Sequence, residues 1–229
     1  MKRVIRKFNI VAILIAFSVL FTGCGLFFNS SKYVQASFDA LYKGEFEEYS
    51  KMTSVAMDQL ERQHDACCEA QIDVLAKLFS FTDEAGNISV DNSTREQIKD
   101  LYKELYSKLE YTVEDKSEKI QDGYVVHVSV SPILIFEDSM NEVNEFVSQY
   151  NVDILSGKYN DQNAYSQEAL STLYQQEILK VFKKKMDNIR YGEPEDISIR
   201  VMRNNDKNSN YINADDLQKF SQLIIKYPS

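Results

Sequence analysis

The hydrophobic period of this sequence changes twice, and in the same order each time. Apolar residues spaced by threes and fours, as in helices, continue to Leu109, and from Tyr111 onward apolar and polar residues alternate, as in strands. The same change occurs between Ile189 and Tyr191. We interpret the chain as a loose internal repeat in which helices precede a β-hairpin.

The first alternating segment predicts an antiparallel hairpin. One strand runs from Tyr111 to Ile120, and the turn Gln121-Asp122-Gly123 leads into a second strand. His127 lies on the polar side of that second strand. The apolar side, which we expect to pack under helices, carries Val126, Val128 and Val130.

The second alternating segment predicts a strand at Ile197–Val201, a polar turn at Asn204–Asn210 and a short return strand at Tyr211-Ile212. Two hairpins accompanied by helices give an α+β fold, with several helices packed on one face of an antiparallel sheet. No Pro-, Ser- or Gly-rich linker divides the chain. Residues 32–229 are therefore expected to form a single domain.

Helical spacing and capping motifs predict seven helices. The first ends at Gly44, and a short second helix follows it. Ser93-Thr-Arg-Glu96 and Ser139-Met-Asn-Glu142 have the pattern of capping boxes and predict the starts of two others. The remaining three helices are predicted at residues 53–81, 161–189 and 215–227.

Residues 1–23 have the organisation of a secretory signal peptide. The basic residues Lys2, Arg3, Arg6 and Lys7 precede an apolar run at residues 10–21. A transmembrane helix needs about 20 apolar residues, so this run is short for a stable membrane span. We expect the segment to be removed from the mature protein.

The residues Leu20-Phe21-Thr22-Gly23-Cys24 resemble the lipobox of bacterial lipoproteins, although Phe21 stands where Leu is usual. The resemblance implies that Cys24 receives diacylglycerol and a further acyl chain such as palmitate, and becomes the mature N-terminus. Acyl chains of this kind hold a protein on the extracytoplasmic face of the cell membrane. Residues 24–31 would then be a lipid-anchored tether. A plain secretory signal and an uncleaved anchor are the alternatives.

The charge of the chain argues against two classes of partner. The formal net charge is −9, and it becomes −13 without residues 1–23. Nucleic acid is not expected as a partner, because phosphate binding requires clustered Lys and Arg. Anionic lipid head groups would repel the body, so the lipid on Cys24 must provide the attachment to the membrane.

The segment Ser37–Tyr49, with the sequence SFDALYKGEFEEY, resembles the opening of cystatin/NTF2-like domains found on bacterial lipoproteins. The resemblance implies that a first helix ends at Gly44 and that a second helix packs over a curved sheet.

His64, Cys67 and Cys68 are spaced so that they share one face of the predicted helix at residues 53–81. Imidazole and thiolate ligands suit Zn²⁺ or Cu(I). A structural zinc site needs four ligands, and the chain offers neither a further free cysteine nor a nearby histidine. We therefore expect no bound metal and no cofactor. Cys67 is expected in the core with Cys68 further from its centre, and an intermolecular disulfide is the alternative.

Other residues could carry chemistry, but none forms a catalytic motif. The carboxylates are expected to be solvated or to favour helix N-termini. His127 could act as a general base, but no nucleophile motif accompanies it. Four tyrosines could line a groove for a sugar, peptide or apolar ligand, or lie at helix–sheet boundaries. The carboxylates are Glu45, Glu47, Glu48, Glu193, Glu195, Asp196, Asp215 and Asp216, and the tyrosines are Tyr102, Tyr106, Tyr165 and Tyr174.

These patterns favour a non-catalytic, lipid-anchored cell-envelope protein that binds an unknown ligand or partner. It would resemble uncharacterised lipoproteins of Gram-positive-type bacteria. One alternative is an envelope hydrolase that uses carboxylates or a metal held by His64, Cys67 and Cys68. The other is a structural or assembly lipoprotein. No ligand-binding residue is assigned from the sequence.

Overall fold

The computed structural model describes residues 28–83, 85–161, 165–204 and 209–228. The predicted signal peptide and Cys24 lie outside these residues. Within them the chain forms seven α-helices and four strands. Their bounds are α1 (Ser30–Phe38), α2 (Glu47–Thr53), α3 (Met57–Leu78), α4 (Asn92–Ser107), β1 (Glu110–Ile120), β2 (Gly123–Ser131), α5 (Ile135–Leu155), α6 (Gln167–Lys185), β3 (Glu195–Asn204), β4 (Ser209–Ile212) and α7 (Ala214–Leu223).

The strands form one antiparallel sheet in the order β1-β2-β3-β4, built from two hairpins. The predicted α+β class is therefore confirmed. Val126 and Val128 are 0% and 1% exposed, whereas His127 on the opposite side of β2 is only partly buried. Helices α1 and α7 pack against the sheet, so the alternation of residues assigned the two faces correctly.

Strand β1 is an edge strand, and its register with β2 shifts between Val113 and Ser117. The bulge contains the charged residues Glu114, Asp115 and Lys116. Bulges and charges on an edge strand oppose pairing with another chain. The edge formed by β1 is therefore poorly suited to recruit a partner strand.

Helix α1 continues into a π-helical turn, Asp39–Lys43, that ends at Gly44 in the left-handed conformation with φ 73°. The predicted end of the first helix is thus confirmed. Both α3 and α4 pack on this turn. The Tyr111 hydroxyl donates to Asp39 Oδ1 over 2.5 Å, which ties the turn to the start of β1. The turn therefore joins the helical layer to the sheet.

Two predicted helix starts are wrong. Helix α4 begins earlier, because the Asp91 carboxylate accepts hydrogen bonds from Thr94 N over 2.9 Å and Thr94 Oγ1 over 2.7 Å. Helix α5 begins at Ile135, and the Ser139 hydroxyl donates to the Ile135 carbonyl over 2.7 Å from inside the helix. A Ser-x-x-Glu pattern is thus also compatible with a helix interior, where the hydroxyl bonds the preceding turn.

Two long helices are shorter than predicted. Helix α3 spans Met57–Leu78 rather than 53–81, since Ser54 ends α2 with a positive φ of 59°. Helix α6 spans Gln167–Lys185 rather than 161–189, and the Ser166 hydroxyl caps it by accepting from Ala169 N over 3.1 Å.

Helices α5 and α6 form a helical hairpin that is buried mainly at its base. There, the rings of Phe136 and Phe182 lie 4.9 Å apart in an edge-on contact. Further out, Tyr150 and Tyr174 keep the two helices together, with ring centroids 5.3 Å apart. Leu155, at the end of α5, is 86% exposed. The outer half of the hairpin thus makes few contacts with the sheet.

Phe28, the first described residue, and the start of the α5–α6 hairpin lie at opposite ends of the sheet. The ring of Phe28 lies 5.9 Å from that of Tyr124, next to the turn of the first hairpin. Helix α5 follows Ser131, which pairs with Glu110 at the opposite end of the strands. In the part of the chain that the structure describes, none of the helices is both long and apolar enough to cross a membrane.

Candidate functional site

His64 is buried, and its ring is held by the backbone of the π-helical turn. Its Nδ1 lies 3.0 Å from the Leu41 carbonyl oxygen, in the π-helical turn. A carbonyl only accepts, so Nδ1 carries the proton and donates. Nε2 faces the Cys68 thiol, whose Sγ lies 4.0 Å away. This histidine therefore links α3 to the turn that follows α1.

The two cysteines of α3 are placed in the reverse of the predicted order. Cys68 is 0% exposed, whereas Cys67 is only partly buried at the edge of the core. The buried stripe of α3 passes through Leu60, His64 and Cys68, so that Cys68 takes the place expected for Cys67. Burial raises the pKa of each thiol to about 12. Both cysteines are therefore protonated at neutral pH and weak nucleophiles.

The cysteine–histidine cluster does not extend to further ligands. Among residues with described positions, no group of three or more His, Cys, Asp or Glu side chains has a geometry that could hold a metal ion. His64 and Cys68 are buried between α3 and the π-helical turn, and Cys67 lies at the edge of the core.

His127 lies between a serine and a glutamate on the solvent-facing side of the sheet. Its Nδ1 is 3.2 Å from Ser198 Oγ, and its Nε2 is 3.6 Å from Glu118 Oε1. Hydrolases use the same three residue types. Ser198 lies on β3 opposite His127 in the antiparallel register, on the solvent-facing side of the sheet. The His127 side chain is 39% exposed, and the arrangement gives a hydrogen-bonded surface cluster.

Of the eight candidate carboxylates, Asp216 is buried, and the other seven are exposed. The Asp216 carboxylate accepts hydrogen bonds from Arg200 N, Nε and Nη2. Burial acts to raise the pKa of Asp216, but the hydrogen bonds and charge of Arg200 outweigh it and lower the pKa below its usual value. Asp216 is therefore not solvated, and its place in the first turn of α7 agrees with the expectation that these carboxylates favour helix N-termini.

The four candidate tyrosines do not share a groove. Tyr102 and Tyr106 are in the core, and the Tyr102 and Tyr227 hydroxyls are 2.9 Å apart. Tyr174 lies in the α5–α6 hairpin, where its hydroxyl donates to the Phe79 carbonyl over 3.2 Å. Tyr165 is exposed near the outer end of that hairpin. These residues hold helices together and do not form a common binding surface.

A groove of about 610 Å³ lies elsewhere, between the loop that precedes α4 and the first turns of α6. We call it the α6 groove. It is lined by Thr82, Asp83, Ala85, Ser89, Val90, Asp91, Gln167, Glu168, Ser171, Thr172 and Gln175.

The loop wall of the α6 groove is fixed by its own hydrogen bonds. Thr82 and Ile88 form an antiparallel bridge, and the Ser89 amide donates to the Phe81 carbonyl over 2.9 Å. The Asp83 carboxylate accepts from the Asn87 amide over 2.8 Å. The wall is therefore formed before any ligand is bound.

The α6 groove is rich in negative charge. Asp83 and Asp91 come from the loop and Glu168 from the first turn of α6, and no described lining residue is Lys, Arg or His. Hydrogen bonds from Asn87 lower the pKa of Asp83, and those from Thr94 lower the pKa of Asp91. Both carboxylates are therefore ionised at neutral pH.

Gln175 lies in the wall of the α6 groove and is 2% exposed. Its Nε2 donates to the Ser89 carbonyl over 2.8 Å and to Ser171 Oγ over 2.9 Å, which fixes the orientation of the amide. Its Oε1 is buried, and no described group donates a hydrogen bond to it. Buried amide oxygens usually have a partner, so this acceptor is the most unusual feature of the groove.

Sequence reasoning missed this site. The Ser89 and Gln175 contact joins residues 86 positions apart, and nothing local signals it. In the loop at residues 83–92, Gly86 and Asn87 are typical of a turn and indicate no ligand. The two aspartates of this loop, Asp83 and Asp91, are the one feature of the sequence that could have indicated the site.

Comparison with known proteins gives a fold similarity. No protein-family model matches the sequence, and no curated protein matches it. The resemblance to cystatin/NTF2-like domains therefore stays a prediction. The fold is similar to the crystal structure of a Bacillus subtilis protein named as a lipoprotein, YcdA, with a TM-score of 0.58 and 17% sequence identity. The similarity covers 86% of this chain and 56% of that one, so the chain spans little more than half of the neighbour's length.

Proposed function

We propose that this chain is a lipid-anchored cell-envelope protein that binds a small polar ligand in the α6 groove without transforming it. The observation that carries the proposal is the preformed groove, with three carboxylates and the unpartnered oxygen of Gln175. A concave site with a few convergent polar groups is the usual form of a ligand-binding site.

The lipid anchor is supported by two independent features. One is the lipobox-like sequence that ends in Gly23-Cys24. The other is the fold similarity to a protein named as a lipoprotein. From Cys24 to Ser30 the chain spans at most about 20 Å when extended, so an acylated Cys24 would keep the body close to the bilayer.

The position of the groove suits a protein anchored at its N-terminus. Phe28 contacts the turn end of the first hairpin, whereas α6 leads into the opposite end of the sheet, where Glu195 pairs with Val130. The α6 groove belongs to the helical layer attached there. An anchored molecule would hold this groove away from the membrane and accessible to a ligand from outside.

Binding is favoured over acid–base catalysis by the state of the acidic groups. A general acid or base works best with a pKa near the operating pH. Asp83 and Asp91 have lowered pKa values because each accepts hydrogen bonds from a neighbouring residue. Such carboxylates attract a ligand well but exchange protons poorly at neutral pH.

The anchor is tested by labelling bacteria that express the full chain with radioactive palmitate. We expect label in the wild type, in the membrane fraction, and none in Cys24→Ala. Label that is unchanged in Cys24→Ala, or absent from both proteins, would contradict the lipid anchor.

The groove is tested with the detergent-purified full-length chain and a panel of amines, sugars and dicarboxylates, by thermal unfolding. We expect at least one compound to raise Tm, because a ligand that binds only the folded state stabilises it. Thr172→Trp, which fills the groove, should abolish the rise. Gln176→Trp, an exposed neighbour on the same helix, should preserve it. No rise with any compound, or an equal rise in Thr172→Trp, would contradict the proposal.

A further inference from the structure

We propose that the ligand of the α6 groove carries one or more ammonium groups. This inference rests on the proposed binding function and specifies its ligand.

The walls of the groove present negative charge from two sides. Asp83 and Asp91 lie on the loop side and Glu168 on the α6 side. No described lining residue carries a positive charge to balance them. A cation between these walls gains attraction from both, and an anionic ligand is repelled by both. The sign of the ligand charge follows from this arrangement.

Gln175 adds a requirement for a hydrogen-bond donor. Both hydrogens of its Nε2 are used by the Ser89 carbonyl and Ser171 Oγ, so only the Oε1 acceptor remains. A buried acceptor without a partner costs free energy that a donor would recover. Oε1 is enclosed by protein atoms in this structure, so a ligand reaches it only after the Gln175 side chain shifts toward the groove. An ammonium group, with three N–H donors and no acceptor, matches the charge of the groove and can then donate to this oxygen.

The hydrogen bonds of the carboxylates and the size of the groove favour an organic cation over a bare metal ion. The Asp83 carboxylate accepts a hydrogen bond from Asn87, and the Asp91 carboxylate accepts one from Thr94. Both carboxylates are therefore already oriented by neighbouring residues. The three carboxylates are not among any group of ligating side chains that could close around a metal. The groove of about 610 Å³ is also much larger than one ammonium ion. A diamine, or a chain that ends in an amine, matches this volume and charge.

The test compares three compounds of equal chain length that differ only in their end groups: 1,5-diaminopentane, 1,5-pentanediol and glutarate. Binding to the detergent-purified full-length chain is measured by calorimetry at low salt. We expect the diamine to bind, the diol to bind at least about tenfold more weakly because its hydrogen bonds are not charge-assisted, and glutarate not to bind.

Two charge variants test whether the diamine binds in the α6 groove. Glu168→Gln should weaken its binding about three- to fivefold, the range for losing one exposed charge partner. Glu145→Gln removes an equally exposed carboxylate from α5 and should leave the affinity unchanged. Equal weakening by both variants, or none by Glu168→Gln and Thr172→Trp, would show nonspecific attraction to an acidic protein and overturn the inference.

The remaining outcomes separate the inference from the proposed function. If the diol or glutarate binds as well as the diamine and Thr172→Trp abolishes that binding, the groove is a binding site but its ligand is not an ammonium compound. If the diamine and every amine of the thermal panel fail while a sugar or a dicarboxylate binds, the inference is again overturned alone. If nothing in either experiment binds, both proposals are wrong.

Discussion

The Asp216 carboxylate binds Arg200 through three hydrogen bonds, from the backbone amide over 3.0 Å, from Nε over 2.7 Å and from Nη2 over 2.9 Å. The backbone bond falls on the part of β3 beyond its pairing with β4, which begins at Val201. Asp216 thus satisfies a sheet-edge amide and joins α7 to the sheet. The Asp216 carboxylate thus takes the place of the strand carbonyl that would otherwise accept from the Arg200 amide.

Asp216→Asn should lower the free energy of unfolding by about 2 kcal/mol at pH 7, the range for a hydrogen bond to a charged group. Arg200 lowers the pKa of Asp216 in the folded state despite burial. The stabilisation by the Asp216 carboxylate is therefore complete above its unfolded-state pKa of about 3.9. It is lost as the pH falls through the lower pKa of the folded state. Urea denaturation from pH 7 to pH 3 measures this. A difference between wild type and variant that stays constant down to pH 3 would contradict the assignment.

Val128→Asp should unfold the protein or lower its stability by more than about 3 kcal/mol, because Val128 is buried and the new carboxylate would have no partner. His127→Ala, the matched control on the exposed side of the same strand, should change stability by less than about 0.5 kcal/mol. Thermal unfolding compares the two. Equal midpoints for Val128→Asp and wild type would show that the faces of β2 are reversed.

Cys68→Ser should cost about 1 to 3 kcal/mol, because it places a hydroxyl in a fully buried site. Cys67→Ser should cost less, since Cys67 is partly exposed and a hydroxyl there can reach water. Denaturant titration in a Cys24→Ala background measures both. The pKa of each thiol is raised to about 12 by burial, so alkylation at pH 8 should be slow until the protein unfolds. Rapid alkylation of folded protein would contradict the burial.

The sequence predicted best where the signal was local and periodic. The valines of β2 alternate with polar residues, so their buried side was assigned correctly. On α3 an error of one position moved the predicted stripe from Cys68 to Cys67, about 100° around the helix. A longer hydrophobic stripe would have been needed to determine which face of α3 is buried.

The candidate site could not be predicted in the same way. The α6 groove depends on Ser89 meeting Gln175, which lie on different elements and far apart in sequence. The contact with Ser89 and the bond to Ser171 together orient the Gln175 amide and leave its Oε1 without a partner. Such a state is a property of the packed structure, and no residue pattern encodes it locally.

Gly44→Ala should lower the free energy of unfolding by about 1 kcal/mol or more, because Gly44 has a φ of 73° in the left-handed region. A methyl group there would lie 3.5 Å from Nε2 of His64, an ordinary contact distance. Backbone strain alone should therefore account for the loss. Gly86→Ala is the matched control, since Gly86 has a φ of 81° and open space around it. Denaturant titration should give similar losses for the two variants. A much larger loss for Gly44→Ala would instead show that the His64 packing tolerates no added methyl group.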